Sequence, residues 1–165
     1  MIGNDIIDLA LARKENNWQR KGFLDKLFTT KEQLLISKSN NPETTVWNLW
    51  SRKEATYKIY NRQTQIRAFI PVQLECFDIE ERDGVLIGHV VCYGAFYYTK
   101  TTITSEYIET NAVINPLDFD QIKTINSSEN FAKTNGVPSY FDSENKTWKP
   151  VSKSHHGRFE RIVRF

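Results

Sequence analysis

The clearest periodic pattern of apolar and polar positions lies in residues 46–60, a segment without Gly or Pro. Thr44 and Thr45 offer an N-cap, so the pattern predicts one continuous helix of about four turns. At about 100° per residue, two stripes run along this helix. The first stripe is apolar and is expected to be buried; it contains Val46, Leu49, Trp50, Tyr57 and Tyr60. The second stripe contains Trp47, Ser51, Glu54 and Lys58.

Three charged residues of this helix need an explanation. Lys53 falls within the apolar stripe, where an unpaired ammonium is costly. It therefore requires a carboxylate or phosphate partner, or its stem must carry the charge out to solvent. Glu54 and Lys58 are four residues apart and can form a surface ion pair worth about 0.2–0.5 kcal/mol. From the helix alone, this surface pair is the preferred interpretation.

The segment before the helix predicts a strand followed by short helices. Residues 2–9 are apolar around Asp5 and Asp8, which indicates a short strand that carries an acidic group toward the start of a helix. Considered alone, either aspartate is best interpreted as a helix cap. Thr29 or Thr30, followed by Glu32 and Gln33, resembles a capping box and predicts a helix over residues 31–37.

Between these elements, residues 10–22 are rich in cations, with Leu11 and Trp18 as apolar anchors. Such a segment is usually a solvated amphipathic face. The alternative is a docking surface for an acidic protein. The cations are Arg13, Lys14, Arg20 and Lys21.

The second half of the chain has the alternation typical of strands. A hairpin turn is predicted at residues 82–84, and the predicted strands cover residues 72–80, 85–93, 96–104, 107–114 and 160–165. We also expect a short helix over 117–125, Ser127-Ser128 leading into a turn and strand over 133–141, and a polar loop over 142–149. His89 lies within a predicted strand and is interpreted as a satisfied histidine, not as a ligand.

Composition narrows the class of protein. A chain of 165 residues with 39% hydrophobic and 25% charged residues indicates one globular domain, and a net charge of +2 argues against a general nucleic-acid binder. The first residues do not resemble a targeting peptide, and the most apolar run, 85–98, is too short to span a bilayer. The two cysteines, Cys76 and Cys92, form no ligand cluster, so we expect a cytoplasmic protein with no membrane contact. Residues 146–165 contain six Lys or Arg and one Glu, a local charge of +5 that suits phosphates or an acidic partner.

Three motifs, in this order, resemble the 4'-phosphopantetheinyl transferase superfamily, specifically the small holo-acyl-carrier-protein synthases. They are residues 2–7 with Asp5, residues 50–58 with Glu54, and residues 152–155. The likeness covers about residues 1–65 and 130–165, including the Asn135-Gly136 turn. It implies an α+β fold in one domain, 1–165, with a long central helix packed on an antiparallel sheet. Within that domain, the strands of about 66–125 are interpreted as an inserted β-meander.

The resemblance also implies a site. Asp5 and Glu54 would hold Mg²⁺, which would also bind the pyrophosphate of coenzyme A. Glu54 and Lys58 would be catalytic, with Lys58 touching the pyrophosphate or stabilising the leaving group. Lys53, Ser154 and His155 would contact the nucleotide phosphates.

The implied reaction transfers the phosphopantetheine arm of coenzyme A to a serine of an apo acyl carrier protein and releases adenosine 3',5'-bisphosphate. Either a metal-bound water or Glu54 would be the base. The acidic carrier, of fatty-acid, polyketide or pigment type, would dock on the basic face of residues 10–22. The small synthases are trimers, so a homo-oligomer is expected.

Two departures from the family pattern bear on this prediction. Leu49 occupies a position where the small synthases often have an arginine, so that phosphate contact is missing or is supplied by Arg52. The third acidic residue of the larger transferases is Ile7 here. The alternatives are a non-catalytic homologue that binds coenzyme A or a carrier protein, and a magnesium-dependent phosphohydrolase that uses the same carboxylates.

Overall fold

The computed structural model describes residues 1–125, 131–134 and 137–165. Residues 1–64 contain one strand and four α-helices: β1 (Ile2–Asp8), α1 (Leu9–Glu15), α2 (Phe23–Leu27), α3 (Thr30–Lys38) and α4 (Pro42–Thr64). The second half contains strands: β2 (Leu74–Arg82), β3 (Val85–Cys92), β4 (Ala95–Ile103), β5 (Tyr107–Val113), β6 (Lys123–Ile125), β7 (Phe131–Thr134), β8 (Val137–Asp142), β9 (Thr147–Pro150), β10 (Ser152–His156) and β11 (Phe159–Arg164). The chain thus combines helices with antiparallel sheets, as predicted.

The main sheet has five strands in the order β1-β5-β4-β3-β2, and all neighbours are antiparallel. The strands that the sequence analysis interpreted as an insertion supply four of these five. In this sheet β1 pairs with β5 along its whole length, from Ile2 opposite Val113 to Asp8 opposite Tyr107. The meander is therefore the body of the sheet, and its origin as an insertion relative to the family stays a prediction.

The central helix α4 is longer than predicted. It begins at Pro42 because proline suits the first turn of a helix, and Asn41 caps it by accepting a hydrogen bond from the Thr44 N–H. Both predicted stripes are covered: Trp47 and Ser51 are as buried as Val46. The second stripe faces the sheet and does not form an outer surface of the molecule.

The first strand lies directly against the backbone of α4. A Cβ atom at Gly3 would lie 2.0 Å from the Ala55 carbonyl oxygen, so only glycine permits this approach. Two residues further along β1 is Asp5, which this contact brings up to the helix.

The C-terminal part forms two three-stranded sheets, β10-β11-β6 and β7-β8-β9. Strand β10 packs on β1, where the Asn4 N–H donates to Ser152 Oγ at 2.9 Å. The short helix predicted over 117–125 is confirmed only in its first part: a 3₁₀ helix, Pro116–Gln121, is followed by β6, which pairs with β11. The predicted loop over 142–149 contains the start of β9. Ser127-Ser128 and Asn135-Gly136 lie outside the described residues.

Within the described ranges, none of the helices has the length and apolar character needed to cross a bilayer.

Candidate active site

Asp5 is placed by the register of the main sheet. It lies opposite Thr110 on β5, and Ser51 of α4 donates to Thr110 Oγ1 at 3.0 Å. The Asp5 side chain therefore faces the helix beside Ser51, with 15% of its surface exposed. A strand and a helix that are distant in sequence thus bring a carboxylate to the second stripe of α4.

Lys58 and Glu54 reach the same place from the helix. The Lys58 Nζ lies 3.8 Å from Asp5 Oδ1 and donates to the carbonyl oxygens of Asn4 and Lys153. Among the ion pairs of the described residues, none joins Lys58 to Glu54. The surface pair preferred from the helix alone is not formed, because Lys58 points to β1.

The two carboxylates are electrostatically strained. Burial raises the pKa of Asp5, an effect that the nearby Lys58 ammonium partly offsets. Burial, and then the charge of Asp5, raises the pKa of Glu54 to about 7. Burial also lowers the pKa of Lys58. The Lys58 ammonium thus offsets the charge of both Asp5 and Glu54 in these pKa shifts. With a pKa of about 7, Glu54 carries a proton for part of the time at neutral pH.

Asp5 and Glu54 line a cavity of about 220 Å³. Its polar walls come from three distant parts of the chain, and its apolar walls include two indole rings; the lining residues that matter here are Asp5, Glu54, Trp47, Trp50, His155 and His156. Acidic, aromatic and imidazole groups thus converge in one small space, which is the usual setting of an active site.

The two predicted residues of the C-terminal motif have different positions. The Ser154 side chain is buried, and its Oγ accepts a hydrogen bond from Asn4 Nδ2 at 2.9 Å. Its place in the structure is between β10 and β1. His155 is exposed and lines both the first cavity and a second one of about 510 Å³, which also contains Phe131 and Lys153.

Lys53 does not reach this cavity. Its side chain is fully buried, and its Nζ donates to Glu32 at 2.6 Å and to the carbonyl oxygens of Leu27 and Pro71. Of the partners considered from the sequence, the structure supplies the carboxylate. Three donors are thus used within the protein, so the expected phosphate contact of Lys53 does not fit its position.

Arg52 is likewise unable to replace the arginine that is missing at Leu49. It is fully buried and donates to Asp78, to Thr99 Oγ1 and to carbonyl oxygens of the main sheet. Gly88 makes room for this guanidinium, since a Cβ there would lie 2.2 Å from Nη2. Arg52 fastens α4 to the meander.

The residues present fit a magnesium ion. Asp5 and Glu54 offer carboxylate oxygens, which Mg²⁺ prefers, and protein sites for this ion often use only two carboxylates, with water and substrate phosphate as further ligands. After burial, the charge of Asp5 also raises the pKa of Glu54, and a cation bound to both carboxylates would offset that repulsion. In the described part of the chain no group of three or more His, Cys, Asp or Glu forms a metal cluster.

Sequence reasoning missed two parts of this region, His156 and Arg158. Asp8, considered there only as a helix cap, does cap α1 by accepting from the N–H groups of Ala10 and Leu11. It also accepts from Arg158, whose guanidinium lowers the pKa of the carboxyl. In the sequence, the only signal was that Arg158 follows the histidine motif. Its contact with Asp8 depends on the fold.

The predicted basic face is partly occupied. Arg13 forms an ion pair with Glu43 at 2.8 Å, and the Arg20 guanidinium lies over the Phe23 ring. Arg20 and Lys21 also line a cavity of about 320 Å³ beside α2, together with Lys26.

The local charge of +5 over residues 146–165 is largely compensated. Four of its six cations have a carboxylate partner within the described residues, and three of those four use acids from outside the segment: Lys149 with Asp142, Lys153 with Glu160, Arg158 with Asp8 and Glu106, and Arg161 with Glu109. The expected attraction for phosphates near His155 is therefore smaller than the sequence count suggests.

A family model described as the 4'-phosphopantetheinyl transferase superfamily matches residues 1–107. The match includes Asp5, Glu54 and Lys58, and it covers more than half of the 165 residues. The chain belongs to the 4'-phosphopantetheinyl transferase superfamily, which confirms the resemblance seen in its motifs. A search of the curated proteins finds no match.

Proposed function

We propose that this protein transfers the 4'-phosphopantetheine arm of coenzyme A to a serine hydroxyl of an apo acyl carrier protein. The observation that carries the proposal is that Asp5 and Glu54 line one cavity, with the Lys58 ammonium 3.8 Å from Asp5, within a chain of this superfamily. In the reaction a bond forms between the serine oxygen and the phosphorus of the arm. The bond from that phosphorus to the bridging oxygen breaks, and adenosine 3',5'-bisphosphate leaves.

Each group has a role in this scheme. Asp5 and Glu54 would hold Mg²⁺, which supplies positive charge to the pyrophosphate. Lys58, with its ammonium between β1 and β10, would donate to the oxygen of the leaving phosphate. Glu54 is one candidate for the base that accepts the serine proton. A metal-bound water is the other candidate base, as it was from the sequence.

The carrier would dock on the basic face that includes Lys14, Arg20 and Lys21. This face adjoins the cavity through α1, because Ala12 of α1 and its C-cap residue Asn16 line the cavity wall. An acidic carrier that binds there would have its serine close to Glu54. The trimer of the small synthases stays a prediction for this chain, and sedimentation velocity would test it.

The direct test incubates the protein with apo carrier protein, coenzyme A and Mg²⁺ and weighs the carrier by mass spectrometry. We expect a mass gain of one phosphopantetheine group, lost with Asp5→Ala or Glu54→Ala while both variants stay folded. Binding of coenzyme A without any mass gain across several carriers would instead support the non-catalytic homologue. Metal-dependent breakdown of coenzyme A in the absence of carrier would support the phosphohydrolase.

A further inference from the structure

We propose that His156 is a fixed hydrogen-bond donor to a phosphate oxygen of coenzyme A, and that it does not act as a proton acceptor. This inference rests on the proposed function and adds one residue to its site. No motif of the sequence analysis includes His156. The argument starts from the hydrogen bonds that hold its ring.

The backbone N–H of Asp8 donates to His156 Nδ1 at 2.9 Å. An N–H group can only donate, so Nδ1 must present its lone pair. In a neutral imidazole the other nitrogen then carries the proton. The bond to Asp8 therefore selects the tautomer with hydrogen on Nε2.

The position of Asp8 is itself fixed. Its carboxylate accepts from two N–H groups at the start of α1 and from the Arg158 backbone N–H, Nε and Nη2 at 3.1, 2.8 and 3.1 Å. The turn at Gly157 fits closely over this carboxylate, because a Cβ at that position would lie 2.5 Å from Asp8 Oδ2. Asp8 and Arg158 are thus positioning residues that set both the ring of His156 and the turn beside it.

The proton on Nε2 has room for a ligand. The Glu15 carboxylate oxygen lies 3.8 Å from Nε2, which is beyond hydrogen-bond distance. Among the described residues no acceptor makes a hydrogen bond with this nitrogen. His156 lines the cavity that contains Asp5 and Glu54, and 27% of its side chain is exposed.

The ligand must offer an acceptor, since Nε2 bears the proton and Nδ1 is occupied. In the proposed reaction the anionic acceptors nearest to the two carboxylates are the phosphate oxygens of coenzyme A. The same argument excludes His156 as the base for the serine proton. That role is left to Glu54 or to water.

Two variants separate a donor role from a merely structural one. In His156→Asn the amide oxygen can still accept from the Asp8 N–H, but the donor at Nε2 is lost. In His156→Gln the amide NH₂ can occupy the place of Nε2, but the acceptor for Asp8 is lost. We expect the asparagine variant to melt near wild type and to lose about 10- to 100-fold in affinity for coenzyme A. The glutamine variant should melt lower and bind coenzyme A more tightly than the asparagine variant.

The asparagine variant binding coenzyme A as tightly as wild type would overturn the proposal. A second test uses ¹⁵N NMR of the imidazole nitrogens at neutral pH. We expect the Nε2–H tautomer in the ligand-free protein and a shift of Nε2 on addition of coenzyme A. A protonated ring, the Nδ1–H tautomer, or no Nε2 shift with saturating coenzyme A would each contradict it.

Neither binding nor NMR requires transfer to a carrier. If transfer fails while coenzyme A shifts Nε2, the proposed function is wrong and the assignment of His156 stands. If transfer occurs while coenzyme A leaves the Nε2 signal unchanged, the proposed function stands and the assignment of His156 is wrong.

Discussion

Glu54 lies where its negative charge favours metal binding but lowers the stability of the metal-free protein. It lies one helical turn from Lys58, yet that lysine is directed to Asp5 and the Asn4 carbonyl. Glu54 is therefore left beside a second carboxylate in a partly buried place, which raises its pKa to about 7. The same arrangement that suits a metal ion makes the metal-free protein less stable when both groups are charged.

The stability of the metal-free protein should fall as the pH rises through the pKa of Glu54. Between pH 4.5, the ordinary pKa of a glutamate, and about pH 7, the folded state keeps a proton on Glu54 that the unfolded state has released. Glu54→Gln removes this loss, so the variant should gain about 1–3 kcal/mol on wild type between pH 5 and pH 8. Urea denaturation at both pH values, with a chelator present, measures the difference.

The control for this experiment is Glu81→Gln, at an exposed position of β2. It should leave the pH dependence of wild type unchanged. If the free energy of unfolding changes equally with pH in wild type and Glu54→Gln, Glu54 does not titrate in this range.

Two lysines on one helix should respond very differently to the same substitution. Lys53→Met leaves the Glu32 carboxylate buried without its cation and should cost about 3–5 kcal/mol in the free energy of unfolding. Lys58→Met affects a partly exposed ammonium and should cost about 1 kcal/mol or less. Its transfer rate should nevertheless fall about 10²- to 10³-fold, because the leaving group loses its donor.

Urea denaturation and single-turnover transfer, measured on both variants, provide the comparison. A stable Lys53→Met with impaired binding of coenzyme A would restore the phosphate contact that the sequence implied. Normal turnover in Lys58→Met would remove that residue from the mechanism.

At the scale of elements, the contact of β1 with α4 decides where Asp5 lies. Gly3→Ala places a methyl group on the Ala55 carbonyl oxygen, so β1 must shift away from the helix. We expect a loss of about 3 kcal/mol or more, at the upper end of overpacking changes, and weaker binding of Mg²⁺. Thermal melts and isothermal titration with Mg²⁺ measure these effects.

Thr102→Ala, at an exposed position of β4, is the control and should have little effect on either measurement. A Gly3→Ala protein with wild-type stability and metal affinity would mean that the strand and helix can separate without moving the site.

Local patterns were sufficient for most elements of this fold. The Thr29 capping box was predicted from four residues and is present with both of its hydrogen bonds. The strand before α1 and the hairpins of the meander were predicted because alternation and turn residues act over short distances. Such patterns do not report which strands pair, so the pairing of β1 with β5 was not predicted.

In the candidate site too, the sequence predicted residues within short motifs but not contacts between distant residues. Asp5, Glu54, Lys58 and His155 were recognised from motifs, since each motif is a short run of sequence. The partners of Lys53 and Arg52 were not, because Glu32 and Asp78 are 21 and 26 residues away along the chain. Helical periodicity also misjudged the second stripe of α4, whose polar members face a polar row of the sheet at Thr110 and not solvent.

At the scale of the whole molecule, charge should govern the encounter with the carrier more than the binding of coenzyme A. The C-terminal cations are largely paired within the protein, whereas Arg20 and Lys21 line an open cavity beside α2. Arg20→Glu with Lys21→Glu should raise the KM for an acidic carrier about tenfold or more at low salt. The KM for coenzyme A should not change.

Because exposed charges are screened, the effect should shrink as the ionic strength rises to about 0.5 M. Steady-state kinetics at several salt concentrations test this, with Lys100→Glu on β4 as the control. An equal change in KM for Lys100→Glu would indicate a general effect of net charge. No change for the double variant would place the docking surface elsewhere.

The pairing of β1 with β5 also sets an order of events as the chain is synthesised. Residues 2–8 leave the ribosome about a hundred positions ahead of their partners, residues 107–113. Before residue 55 emerges, the first strand lacks the helix that Gly3 contacts. Before residues 107–113 emerge, it lacks its neighbour in the main sheet. Pairing between strands so far apart in the sequence slows folding. The carboxylate of Asp5 thus reaches its place in the sheet only after residue 110, its partner on β5, has been made.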